Sequence, residues 1–234
     1  MKIAAILTGK GSSQLKNKNL IKILGKPLLH YSCIEAKKCK EINRYYVSSE
    51  DNKILNYAFK LGYKKIERPR NLSKKNTLHI DVINHALNFI NDDGYYPDIL
   101  IILLANAPMI KSSWIKKSIN ILKKNKKISS VIPSYAYNDH NPYRAKIKKG
   151  KFLKSFISSK KKISSNRQYL PASYFLCHNF WVIRLSSIKK QDGDEPWKFM
   201  GKKVFPLIVN RTFDVHDQDD ISILRVLLKK FLKN

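Results

Sequence analysis

Acidic residues are scarce in this sequence: 17 Asp plus Glu stand against 46 Lys plus Arg, for a formal charge of +29. Taken alone, that imbalance points to nucleic acid, an anionic membrane or a phosphate-rich substrate. The excess is largely lysine, scattered among many Asn and Ile, a mixture that a coding bias towards A and T produces without selection on charge. The charge is therefore read as background, and nucleic acid is not the expected partner. Cysteine is also sparse. Cys33, Cys39 and Cys177 stand apart with no CxxC or Cys/His cluster, so neither a disulfide framework nor a zinc site is implied, and a reducing cytoplasm fits. Long apolar runs are missing, with nothing near the ~20 residues that span a bilayer. The opening KIAAILTGKG has too short an apolar run for a signal-peptide core and no small-residue cleavage site. A cytoplasmic protein with no membrane partner is expected. GxxxxGK[ST] and GxGxxG are both absent, which excludes a Walker loop and a dinucleotide fingerprint. There is no internal repeat.

What the chain does have is 43% hydrophobic residues over 234 positions, enough for one sizeable core in a single domain or a domain with an appendage. Short apolar runs alternate with helical patterns, the sequence sign of a mostly parallel sheet covered by helices. Strands are expected at 3–7, 44–48, 64–67, 98–104 and 129–133, and helices at 27–39, 53–61, 78–90 and 113–124. The run DILIILL is the most continuously apolar and reads as a central strand buried on both faces. Beyond residue 138 the rhythm changes. YRAKIKKGKFLKSF reads as two strands about a Lys-Gly turn, and residues 138–174 as an inserted arm. Strand character returns at 174–184, 204–209 and 212–215, before a last helix at 219–232.

Ligands of open α/β sheets collect at the carboxyl ends of the strands, which directs attention to the loops after Leu7, Ser48, Leu104 and Val215. The first, TGKGSSQLKNKN, is the most informative. Gly9 and Gly11 permit close approach and an anion nest of backbone N–H groups, Ser12 and Ser13 add hydroxyls, and Lys10, Lys16 and Lys18 bring cationic heads. On these residues alone the loop reads equally as a triphosphate cradle or as a solvated, lysine-rich surface loop.

The order of segments goes further. A strand, a Gly/Ser loop, KN, a spacer and LGKPLLHYSCIEAKK resemble the opening of acylneuraminate cytidylyltransferases, the family of CMP-sialic acid synthetases. The resemblance continues in register through VSSED, ERPRNLS, LLANAP, NPYRAK, RQYLP, YFLCHNFWVIR, WKFMGKKVFP and FDVHDQDD, and so covers nearly the whole chain. The LLANAP and MGKKVFP versions are closer to a bacterial branch of undefined substrate. The resemblance implies a Rossmann-like, three-layer α/β sandwich of the nucleotide-diphospho-sugar transferase type, with a small β-rich dimerisation arm and hence a homodimer.

It also implies roles. Lys18 falls on the lysine that holds the triphosphate, Lys10 stands one place from a missing loop arginine, and Thr8, Gly9, Gly11, Ser12 and Asn19 would line the nucleotide, with Arg68 nearby and Asn106 able to read a base edge. Arg144, Arg167 and Gln168 fall on positions that face the acidic sugar, and a guanidinium suits a carboxylate. Asp214 matches the first carboxylate of a DID motif and is the expected Mg²⁺ ligand, with Asp217, or His216 itself, left to complete the metal site. The rival reading makes Asp217, Asp219 or Asp220 a cap of the last helix. Departures are real: Gly9, Ser13 and Lys16 replace a loop arginine, lysine and proline, and His216 replaces the second Asp of DID. The implied reaction transfers CMP from CTP to an acidic, sialic-acid-like sugar with release of pyrophosphate. Alternatives are a same-fold enzyme with another sugar acid or nucleotide, such as the CMP-Kdo type, and a weakened relative that binds polyanions.

Overall fold

In the computed structural model, which describes residues 1–11, 15–160 and 162–233, the first strand β1 (Ile3–Thr8) is buried along its whole length. Alternate side chains go to opposite faces, Ile3, Ala5 and Leu7 to one apolar cluster and Ala4 and Ile6 to another. Burial on both faces is what a central parallel strand requires, and it explains why the run carries no polar residue before Thr8.

After a short hairpin of β2 (Lys22–Ile23) and β3 (Lys26–Pro27), the chain enters α1 (Leu28–Lys37), where the fixed φ of Pro27 suits the turn into a helix. The pattern then repeats: β4 (Arg44–Ser49), α2 (Asn52–Lys60), β5 (Lys64–Glu67), α3 (His79–Asp92), β6 (Ile99–Leu104), α4 (Ser112–Lys124) and β7 (Ser130–Ala136). Next come the arm strands β8 (Lys146–Lys149) and β9 (Phe152–Ser155), then β10 (Tyr174–Leu176), β11 (Phe180–Arg184), α5 (Leu185–Lys190), β12 (Val204–Ile208) and α6 (Asp219–Lys233).

The sheet order is β10-β7-β11-β6-β1-β4-β5, with β12 paired to β7. Pairings β6–β1, β1–β4, β4–β5 and β12–β7 are parallel, whereas β11 lies antiparallel between β6 and β7. Helices α1, α2 and α4 cover one face with residues such as Leu29, Leu55 and Ile119. The other face is covered by Ile83, Ala86 and Ile90 of α3, Ile188 of α5, and Phe199 and Met200. Three layers result, the mixed, mostly parallel α/β architecture expected. Each fully buried Leu or Ile contributes roughly 2 kcal/mol. Among the described residues no helix is long and apolar enough to cross a membrane.

Two expectations need correction. Residues 212–215 form no strand; the segment is held instead by a reciprocal pair, Val215 N donating to the Asn106 carbonyl at 3.2 Å and Asn106 Nδ2 donating to the Val215 carbonyl at 3.2 Å. Residues 174–184 are not one strand, because Asn179 breaks the run: its Nδ2 donates to the Met109 carbonyl at 3.0 Å and its Oδ1 accepts from Phe180 N at 2.8 Å. Helix α6 packs Ile221, Leu224 and Leu228 against Ile23, Leu28 and Met109, which fixes the 212–217 segment over the carboxyl ends of β1 and β6.

Candidate active site

The carboxyl end of β1 runs directly into the glycine turn. Gly9 N donates to the Ser48 carbonyl at 3.3 Å, and a Cβ on Gly9 would lie 2.9 Å from the Ala105 Cβ, so only glycine lets this turn pass the end of β6. Buried Asn19 closes the loop from the other side by donating to the Lys10 carbonyl at 3.0 Å. Asn19 thus shapes the cleft, while the neighbouring Lys18 and Lys10 line it together with Thr8, Gly9, Arg68, His79 and Asn106. The adjoining part of the cleft is lined by Gly11, Glu50, Ser73 and His216, with Lys10 and Lys18 common to both. Burial lowers the pKa of Lys18, and the Lys10 charge adds to this, whereas Asp214 pulls it back up. Ser12 lies outside the described residues.

A network around Glu50 holds the turn. Glu50 Oε1 accepts from Gly11 N at 2.8 Å, and its Oε2 accepts from Arg68 Nη2 at 2.9 Å and Ser73 Oγ at 2.8 Å. Arg68 Nη2 also donates to the Gly9 carbonyl at 2.7 Å. Burial opposes ionisation of Glu50, but the hydrogen bonds from Arg68 and Ser73 outweigh it and hold the carboxyl down at about 2. The Gly11 amide, expected to face phosphate, is therefore already held by a carboxylate. Arg68 is nearly buried, and its Nε lacks a hydrogen-bond partner among the described residues, which leaves one donor for a ligand oxygen.

Asp214 reaches the cleft through its charge. Its Oδ2 lies 2.9 Å from His216 Nε2, and its charge is felt by Lys18, Tyr135 and His178. Asp217 is turned to another task. Its Oδ1 accepts from Asp219 N at 3.0 Å and Asp220 N at 3.1 Å, while Asp220 Oδ2 accepts from His216 N and Asp217 N, so the two carboxylates cap α6 reciprocally. Of the two readings of Asp217, ligand or cap, the geometry is that of a cap. Among the described residues no group of three His, Cys, Asp or Glu side chains gathers that could hold a metal by itself. Magnesium needs fewer, since it binds through one or two carboxylates plus substrate phosphates, and Asp214 supplies one such hard donor.

Arg144, Arg167 and Gln168 do not line the cleft among these residues; they cluster at the base of the arm. Arg167 forms an ion pair with Asp139, and Arg144 Nη1 donates to the Asp139 carbonyl at 3.5 Å. Gln168 is exposed, its backbone N–H donating to Asn166 Oδ1 at 3.1 Å. Asn106, expected to read a base, spends its Nδ2 on Val215.

Glu50 and His79 line the cleft although no motif in the sequence singles them out. A carboxylate directly after a strand in so basic a chain was the available signal for Glu50. His79 opens α3 with its Nε2 3.4 Å from Thr8 Oγ1 and its ring against Trp181 and Phe199. Burial, with the charges of Arg68 and His178, pushes its pKa down to about 4, so it is a neutral imidazole at physiological pH. No periodicity distinguishes such a residue from an ordinary core histidine.

The geometry agrees with comparisons to known proteins. A family model described as "Cytidylyltransferase" matches residues 3–179. The "Post-translational flagellin modification protein B" of Campylobacter coli is 26% identical over 238 aligned residues, covering 97% of this chain and 95% of that protein. A "Pseudaminic acid cytidylyltransferase" of Campylobacter jejuni (serotype O:23/36, strain 81-176) is 23% identical over 98% of this chain and 97% of its own. The solved structure of a CMP:2-keto-3-deoxy-manno-octonic acid synthetase complexed with CTP superposes with a TM-score of 0.72 at 15% identity, covering 98% of this chain and 99% of that one, which supports the fold. With the family match spanning most of the sheet and the loop that shapes the cleft, the chain belongs to the cytidylyltransferase family and is a nucleotidyltransferase.

Proposed function

We propose that this protein transfers CMP from CTP to the anomeric hydroxyl of an acidic nine-carbon 2-keto sugar, a relative of pseudaminic or sialic acid, and releases pyrophosphate. The observation that carries the reading is the convergence on one cleft of the Gly9 turn, Lys10 and Lys18, with the Asp214 charge close enough to Lys18 to oppose the lowering of its pKa by burial. The sugar oxygen attacks the α-phosphorus, the α–β anhydride bond breaks, and the hydroxyl proton is released. Little covalent chemistry falls to the protein, so positioning and charge neutralisation carry the rate. Lys18 and Lys10 neutralise the departing phosphates, and the Glu50–Arg68 network holds the turn that presents them. Magnesium, when bound through Asp214 and phosphate oxygens, adds further neutralisation of the triphosphate.

Pseudaminic acid is favoured over the eight-carbon alternative because a relative bearing that name aligns along almost the full chain. A homodimer is part of the same reading. The arm strands are fully exposed, with Phe152, Leu153 and Phe156 respectively 70%, 69% and 63% accessible, as expected of a surface that a second copy covers. The cytoplasm, where CTP is made and thiols stay reduced, is the proposed compartment, and the three cysteines are free and buried. The test is pyrophosphate release with CTP, UTP, GTP or ATP against pseudaminic acid, sialic acid and Kdo. Release only with CTP and a nine-carbon acid supports the reading; release with another nucleotide, or with none, defeats it.

A further inference from the structure

Parallel pairing of β12 with β7 sets Ile208 opposite Ser134, and Val209 N donates to the Ser134 carbonyl at 3.0 Å. This register carries Arg211 alongside the residues that leave β7. The Arg211 guanidinium lies 5.0 Å from the centre of the Tyr137 ring and 5.9 Å from that of Tyr135, and the two rings are themselves 6.2 Å apart. Backing on two aromatic rings restrains a side chain that otherwise loses much rotamer freedom on binding, and leaves its N–H fork free.

Three arginines meet in this region, and they differ in one respect. Arg167 is paired with Asp139, and Arg144 lies against the same aspartate, whose low pKa reflects first Arg167 and then both charges. Arg211 forms no salt bridge among the described residues, in a region where Asp139 has already been taken. It stands three residues before Asp214, and both act on the Tyr135 hydroxyl, Arg211 favouring and Asp214 opposing its ionisation, beneath a larger effect of burial. An unneutralised, aromatic-backed guanidinium therefore stands three residues from Asp214, with Tyr135 within reach of both charges.

We infer that Arg211 grips the carboxylate of the acceptor sugar acid and so selects for an acidic over a neutral acceptor. The inference rests on the proposed sugar-acid transfer and deepens it. The fork binds both carboxylate oxygens, while Tyr135 and Tyr137 keep it aimed and exclude water from one face. The acceptor's anomeric carbon carries that carboxylate, so fixing it also sets the attacking oxygen.

The experiment measures pyrophosphate release from CTP with pseudaminic acid, sialic acid and Kdo for wild type, Arg211→Ala, Arg211→Lys and Arg144→Ala. Losing one charge-assisted pair raises the sugar KM of Arg211→Ala by roughly 10- to 100-fold with the KM for CTP unchanged. Arg211→Lys recovers part of the loss, because it keeps the charge without the fork, and Arg144→Ala changes the sugar KM less. An unchanged sugar KM in Arg211→Ala overturns the inference alone, as does a matching loss of CTP affinity, which marks a structural role. If wild type turns over none of the acids, the proposed transfer fails, and this inference falls with it.

Discussion

Glu50 and Arg68 pair at 2.9 Å with side chains only 12% and 4% exposed, and between them they hold both glycines of the loop, Arg68 through the Gly9 carbonyl and Glu50 through the Gly11 amide. In a chain so rich in lysine, this carboxylate sits inside a cationic site. Its function is therefore geometric: it fixes the turn so that Lys10 and Lys18 face the cleft.

Glu50→Gln leaves Arg68 buried without its counter-charge and leaves one acceptor oxygen, where there were two, for the donors of Gly11, Arg68 and Ser73. Breaking such a pair by deleting one partner costs about 3 kcal/mol. The folded pKa of Glu50 is about 2, below its ordinary 4.5, so the stability it contributes is present above pH 4.5 and is lost as pH falls towards 2. Acid unfolding followed by circular dichroism should show that slope in wild type and its loss in Glu50→Gln. Equal slopes in the two proteins would remove Glu50 from the network.

Gly11→Ala tests the turn without touching a charge. Its new Cβ would lie 2.4 Å from Asp51 Oδ2 and 2.8 Å from Asp51 Cβ, and Asp51 is tied down because its Oδ1 accepts from Lys53 N at 2.7 Å to cap α2. The turn must shift, and a misplacement of this order costs roughly 10²-fold in turnover. Steady-state kinetics check it; wild-type kcat and KM for CTP would mean that the turn does not position the nucleotide.

Lys18→Ala removes a cation whose pKa burial already lowers and Asp214 supports. Loss of a preorganised donor to developing charge costs roughly 10²-fold or more in kcat. The measurement is pyrophosphate release at saturating CTP and sugar. Full activity there would detach the phosphates from this loop.

Much of this was legible in the residues, and the exceptions have physical causes. The strand ending at Thr8 and the strand ending at Leu104 were readable because burial on both faces removes every polar residue from them except the terminal Thr8. The antiparallel placement of β11 between β6 and β7 was not, since β11 and β7 pair across dozens of residues and local patterning says nothing of direction. Residues 212–215 resembled a strand because Phe213 and Val215 are apolar, but their burial comes from packing with α6. In the site, the turn glycines and Lys18 were readable from residue type. Glu50, His79 and Arg211 were not, for their significance lies in which distant group each meets: Arg68, Thr8 and Tyr137.

His79 makes a prediction in a different pH window from Glu50. It is held neutral by burial, by Arg68 and by His178, with its pKa pushed down to about 4 from an ordinary 6.5. Between those values the unfolded chain binds a proton that the folded chain refuses, so stability rises with pH across the window, is complete above 6.5 and is lost as pH falls towards 4. The contribution is about 3–4 kcal/mol at most. His79→Gln keeps a polar group near Thr8 but cannot take up the proton, so its denaturant midpoint should change less than that of wild type between pH 4 and 6.5. His30, His85 and His178 also have lowered pKa values and titrate in both proteins, so the difference between the two curves isolates His79. Parallel curves would mean that His79 takes up its proton in the folded state as easily as in the unfolded one, and that its ring is not sealed against Trp181.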